Sequence, residues 1–215
     1  MAPVANETEA ALVVDLALVL AVDCSSSVDS GDYRLQMDGI AAALRNPELE
    51  TAIASGRHKR IALMMLHWSR RDAQYIALPW RILSGGGSIE AAARDISRVE
   101  RNWKPGGTGL AAAIRVAAAN LLGAPFAADR RVIDVSGDGE DNEDGNPALE
   151  RNTAVANGIV INGLPVMSGS GRIVSYYRSR VIGGPGSFLV PAFETKDFAE
   201  AMAEKLLREV RQPVS

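Results

Sequence analysis

Apolar and polar positions along the chain alternate between two periods. Val13 to Val22 is almost continuously apolar, broken only at Asp15, and reads as a strand buried on both faces. Ile61 to Trp68 repeats that pattern. Gln74 to Leu83 reads as its hairpin partner across the turn Arg70-Arg71-Asp72, with Pro79 marking a sheet edge. Short apolar runs at Val132–Val135, Gly158–Leu164 and Ser187–Val190 complete six expected strands. Between them, helical spacing covers Tyr33–Leu44 behind a cap at Asp29 or Ser30, then Glu48–Ala54 and Ile89–Val99 behind a Ser88 cap. Further helices are expected at Leu110–Leu122, Pro147–Asn157, Arg172–Arg180 and Lys196–Arg211, the last capped by Thr195 with Asp197 behind it. Strands alternating with helices, plus one hairpin, predict an α/β fold. Its form is Rossmann-like and doubly wound: a mostly parallel six-stranded sheet with one antiparallel edge strand and helices on both faces.

Length and composition narrow this little. At 215 residues with 47% hydrophobic content, residues 13–212 fit one domain, preceded by a disordered or extended segment over residues 1–12. A net charge of −3 supplies no basic field for a phosphate backbone, which argues against nucleic acid as a partner. The first apolar run is far short of the ~20 residues that span a bilayer. It has no basic flank or cleavage signal, so a core strand is expected there and not a signal peptide. The single Cys24 forms no internal disulfide. The two histidines, His58 and His67, have no Cys or His neighbours at zinc-ligand spacing.

The chemistry concentrates where strands end. Asp23, Ser25 and Ser27 offer three hard oxygens within five residues at the end of the first strand, a donor set for Mg²⁺, Mn²⁺ or Ca²⁺. In an open α/β sheet, ligands bind outside the carboxyl ends of strands. Two later segments offer further oxygens: Thr108, in the turn Pro105-Gly106-Gly107-Thr108-Gly109, and Asp138, in Val135-Ser136-Gly137-Asp138-Gly139. Read singly, Asp23 and Asp138 are equally well explained as turn or helix caps; the conjunction with Thr108 favours a metal. Ser26, His67, Trp68, Ser69, Gly107, Gly139 and Glu140 are expected around the rim. The acidic run Glu140 to Gly145 fails as an EF-hand, since position twelve is Arg151, and reads as a solvated loop. Asp134, inside a strand, needs a partner, with Arg130 and Arg131 the nearest cations in sequence. Phe188, Phe193, Phe198, Tyr176 and Tyr177 read as core. No G-x-S-x-G elbow or other catalytic constellation is present, so an enzyme is not expected.

Asp23-x-Ser25-x-Ser27, Thr108 and Asp138, in this order, resemble the metal-ion-dependent adhesion site of von Willebrand factor A domains, with Ser26 where that family commonly has Gly. Four segments resemble one bacterial branch of that superfamily, the domain of unknown function 1194: Val14–Asp23, Val132–Gly139, Ile159–Pro165, and Tyr176-Tyr177 followed by Val181–Gly186. The resemblance implies that Ser25 and Ser27 ligate directly, Thr108 directly or through water, and Asp23 and Asp138 through water. It implies a divalent cation, Mg²⁺ first, with Mn²⁺ or Ca²⁺ as alternatives. An open coordination place would accept an Asp or Glu carboxylate from a protein partner. The function so implied is a cation-dependent protein-binding module; a metal-dependent phosphoester hydrolase and a scaffold with a folding metal are the alternatives. Export to the periplasm is implied by the resemblance alone.

Overall fold

The computed structural model describes residues 12–101, 106–167 and 171–211, so most of the expected N-terminal segment and Pro105 lie outside the described residues. The first strand, β1 (Val13–Asp23), is the centre of the sheet because both of its faces are apolar. Leu16, Leu18, Leu20 and Val22 point into one core, while Ala17, Val19 and Ala21 point into another. It is followed by helices α1 (Ser30–Leu44) and α2 (Pro47–Ser55), then by β2 (Ile61–Trp68), parallel to β1, and β3 (Gln74–Leu83), antiparallel to β2. Helices α3 (Gly86–Ser97) and α4 (Leu110–Leu122) lead to β4 (Ala127–Gly137). After it come α5 (Pro147–Ala156), β5 (Ile159–Pro165), α6 (Arg172–Tyr176) and α7 (Phe198–Arg211). The sheet order is β3-β2-β1-β4-β5. Apolar side chains of α1, α2, α3 and α7 join the first core, and those of α4, α5 and α6 the second.

The chain leaves β1 toward β2 and later returns on the other side to build β4. The strand order therefore reverses at β1, and the crevice between the carboxyl ends of β1 and β4 is the topological switch point. Asp23 ends β1, and Asp138 directly follows β4.

Several expectations change. Among the described residues the sheet has five strands, not six. The Ser187–Val190 segment lies beside β5, but its contacts are isolated bridges, Gly163 with Leu189 and Val166 with Ala192. Its ladder is interrupted because the Phe188 amide donates to the Asn162 side chain (2.9 Å) and Pro191 has no amide to give. Helix α3 begins at Gly86, ahead of Ser88, whose hydroxyl accepts from the Ser84 amide inside the first turn. The expected Arg172–Arg180 helix is α6 followed by one turn of π-helix, Tyr177–Val181. Ahead of α7 stands a 3₁₀ turn, Thr195–Asp197, whose leading Glu194 amide donates to Asp197 Oδ2 (3.1 Å). Phe193 is exposed at 66% and is not core.

Asp134 finds its partner far along the chain. Lys205 of α7, fully buried, lies 2.7 Å from Asp134 Oδ1 and 2.6 Å from Glu209 Oε1. Asn162 donates to the same Glu209 oxygen (3.1 Å). The partner is neither Arg130 nor Arg131, because Asp134 faces the side of the sheet that α7 covers, where Lys205 is within reach.

His67, fully buried, stands edge-on to Tyr33 at 5.6 Å. Burial, helped by the Arg101 charge, pulls its pKa down to about 3. The unfolded chain therefore takes up a proton below about pH 6.5 that the folded chain refuses, and stability is lost as pH falls from there toward 3. His67→Phe is expected to remove up to about 1 kcal/mol per pH unit of that slope, read by urea denaturation between pH 7 and pH 4.

Candidate metal centre

The crevice is stitched from three loops. The Asp23 carboxylate accepts from the Ser25 amide (2.7 Å), which curls the β1 exit into a tight turn. Within that turn the Ser25 and Ser27 hydroxyls stand 3.1 Å apart, and the Ser27 hydroxyl donates to Asp138 Oδ1 at 2.6 Å. The third loop enters through the Ser26 amide, which donates to the Gly106 carbonyl (3.0 Å). Thr108 is then gripped on both sides: its amide donates to Asn142 Oδ1 (2.7 Å), and its carbonyl accepts from the Asn142 amide (3.0 Å). Its hydroxyl packs against Gly139, where a Cβ would lie 3.1 Å from Oγ1. The fold thus brings the oxygens of Ser25, Ser27 and Asp138 into one connected chain. Asp23 lies behind them, and Thr108 stands at the residue next to Asp138.

Burial grades across the site. Asp23 and Ser25 are buried, Asp138 and Gly139 are half-buried, and Ser26 and Ser27 are exposed. The donors therefore face an opening and not a sealed cavity. Asp23 Oδ2 is buried and makes no hydrogen bond among the described residues. Burial raises the Asp23 carboxyl to about 7; the Ser25 hydrogen bonds oppose this and the Asp138 charge adds to it. A carboxylate oxygen held dry and unpaired is costly unless positive charge stands nearby. That oxygen, beside two hydroxyls and a second carboxylate, fits a hard divalent cation.

Residues expected at the rim divide. Ser26 is at the opening, Gly107, Gly139 and Glu140 are half-buried, and Glu140 pairs with Arg172 at 3.1 Å. His67, Trp68 and Ser69 are fully buried, because the loops close over the end of β2. Ser69 works from beneath: its hydroxyl accepts from the Gly106 amide (3.0 Å) and its carbonyl from the Gly109 amide (2.6 Å). Gly109 must be glycine for this approach, since a Cβ there would lie 2.6 Å from the Arg71 nitrogen. The acidic run is not merely solvated. Asp141 accepts from the Ala111 amide at the start of α4 (2.8 Å) and from the Gly145 amide (2.9 Å), so it fixes the loop that carries Thr108.

Two contributors carry no sequence signal. Arg101 donates to the carbonyls of Cys24 (2.6 Å), Ser25 (2.7 Å) and Val28 (2.7 Å), locking the serine turn from behind. Tyr177 opens the π-turn with its hydroxyl buried and, among the described residues, without a hydrogen bond. A Cβ on Gly137 would lie 2.8 Å from both this hydroxyl and Asp23 Oδ2, so Gly137 is the gap through which the two groups face each other. A π-turn at such a place is a frequent mark of a functional site.

No curated protein sequence matches this chain. Among solved structures, proximal thread matrix protein 1 from mussel byssus, with a zinc-occupied metal-ion-dependent adhesion site, is similar at TM-score 0.66 and 14% identity, over 92% of this chain and 46% of that one. A von Willebrand factor type A structure from Catenulispora acidiphila is similar at 0.62 and 15%, over 92% and 43%. The pilus adhesin SpaC from Lactobacillus rhamnosus GG is similar at 0.62 and 14%, over 92% and 30%. This chain thus spans less than half the length of each. Over residues 13–214 the sequence matches the family described as "Protein of unknown function (DUF1194)"; the chain belongs to that family and has the von Willebrand factor A fold.

Proposed function

We propose that this chain is a divalent-cation-dependent protein-binding module. Ser25, Ser27, Thr108, Asp23 and Asp138 would hold the cation, and the partner would supply an Asp or Glu carboxylate. The observation that carries this reading is the run of oxygens from Ser25 through Ser27 to Asp138, opening to solvent in front of the dry, unpaired Asp23 Oδ2. Bound there, the ion supplies Lewis acidity toward a carboxylate: with mostly neutral donors beside it, an incoming anion meets a partly dehydrated charge. The chain's part is to hold the donors before the partner arrives, through Arg101, Ser69, Asp141 and Asn142. Mg²⁺ is the cation favoured, since every donor is a hard oxygen. A protein with this fold that carries zinc at its adhesion site, and a pilus adhesin, support binding as the role. They also support export from the cytoplasm. Among the described residues, no helix is long and apolar enough to cross a membrane.

Thermal unfolding with and without Mg²⁺ tests the proposal. Mg²⁺ in excess over its dissociation constant is expected to raise the melting temperature of the wild type and leave Asp23→Ala unmoved. A wild-type melting curve indifferent to Mg²⁺ and Mn²⁺ would overturn it.

A further inference from the structure

At the opposite pole of the sheet a second set of ligating groups converges. Asp15 lies near the start of β1, Asp129 near the start of β4, and His58 in the turn that feeds β2. Eight residues of strand separate Asp15 from Asp23, roughly 26 Å, so this cluster is independent of the crevice. Asp15, His58 and Asp129 each offer one ligand atom, all within 4.8 Å of one another. His58 Nε2 lies 3.2 Å from Asp129 Oδ2, with the two side chains only 22% and 21% exposed. That nitrogen is buried, and among the described residues the Asp129 oxygen faces it without meeting hydrogen-bond geometry.

The backbone is shaped around this cluster. The Asp15 carboxylate accepts from the His58 amide (2.8 Å) and the Arg60 amide (3.2 Å), which fixes its orientation. Each of its oxygens keeps a lone pair to spare. Gly56 leaves the room, since a Cβ there would collide with Asp15 Oδ2. Lys59 sits in the left-handed region at φ 54°, a conformation that bends the chain back on itself and that non-glycine residues seldom adopt.

We infer that Asp15, His58 and Asp129 form a second metal site, selective for a borderline transition cation such as Zn²⁺. One imidazole and two carboxylates suit Zn²⁺, Co²⁺ or Ni²⁺ better than Mg²⁺, because nitrogen is a poor ligand for the hard ion. Three protein ligands leave a fourth place open in tetrahedral geometry. With bonds of ~2.1 Å, closure onto the ion asks for side-chain shifts on the order of an ångström. Two cations border the site: Arg60, whose side chain donates to the His58 carbonyl, and Arg130, engaged with the Glu209 carbonyl but close enough to feel Asp15 and Asp129. The two carboxylates offset them. The alternative occupant of the same geometry is a proton, making a plain His58–Asp129 ion pair.

With only two histidines in the chain, imidazole resonances decide the matter. Zn²⁺ is titrated into ¹⁵N-labelled full chain in the presence of millimolar Mg²⁺, and two-bond ¹H–¹⁵N correlations are followed. One equivalent of Zn²⁺ is expected to shift the His58 Nε2 signal to a metal-bound value and leave the buried His67 in place. Ser27→Ala is expected to leave that response intact, whereas Asp129→Asn weakens it by about tenfold or more. A His58 signal unmoved by several equivalents, or one that responds equally in Asp129→Asn, would reduce the cluster to an ion pair and overturn the inference.

Discussion

Lys205→Met is expected to cost about 3–5 kcal/mol of folding stability, the largest effect of any single substitution considered. The ammonium is wholly buried between Asp134 (2.7 Å) and Glu209 (2.6 Å), both themselves buried. Methionine fills the volume but leaves two carboxylates in the dry core with no cation, and one partner of a buried pair is worth most when it is removed alone. The pH dependence gives the mechanism a signature. Burial already raises the Asp134 carboxyl above the usual carboxylate range, with Lys205 opposing the rise. Removing Lys205 lifts it further, and a carboxyl raised above its unfolded value contributes stability at low pH that is lost as pH climbs. The deficit read by chemical denaturation should therefore be larger at pH 8 than at pH 5. Replacing the trio together, as Asp134→Asn, Lys205→Met and Glu209→Gln, should recover most of it. A Lys205→Met deficit below about 1 kcal/mol at pH 8 would show that the trio does not govern the docking of α7.

Asp138→Ala is expected to act in the opposite way, weakening cation binding by about a hundredfold while leaving the metal-free fold at least as stable. Loss of this magnitude is typical when a group that orients metal ligands is removed. Asp138 is half-buried, and among the described residues its side chain bonds the exposed Ser27 hydroxyl alone, so little packing is lost. Its charge also helps to raise the Asp23 carboxyl, so its removal relieves a like-charge repulsion in the metal-free protein. Mn²⁺ affinity and metal-free melting temperature, measured on the same preparation, separate the two effects. A variant that loses stability without losing affinity would make Asp138 a structural cap.

The strand ends were the legible part of the sequence. An apolar run from Leu16 to Val22 leading into Asp23-Cys24-Ser25-Ser26-Ser27 can place those oxygens only at the rim of a sheet. Asp138 follows from the same logic at the end of β4, the neighbouring strand in the sheet. Contacts that join distant segments left no such trace. Nothing about Lys205, in an amphipathic helix, marks it as the partner of Asp134. Nothing about Tyr177, in a short helical stretch of mixed polarity, marks its hydroxyl as facing Asp23 across Gly137. His67, Trp68 and Ser69 end a strand, which predicts a place at the rim, but loops fold over that end and bury them. The sixth strand failed on local chemistry, a proline and a side chain that takes a ladder amide. His58, unpromising by spacing, meets two acids only once β1, β2 and β4 lie side by side.

The most direct measurement is a Mn²⁺ titration followed by the electron paramagnetic resonance of the free ion, made in the His58→Gln background to silence the opposite pole. One Mn²⁺ per chain is expected, displaced by Mg²⁺ and released by Ser27→Ala. Free Mn²⁺ at every addition, or a bound ion that survives Ser27→Ala unchanged, would contradict a cation held at the crevice between β1 and β4.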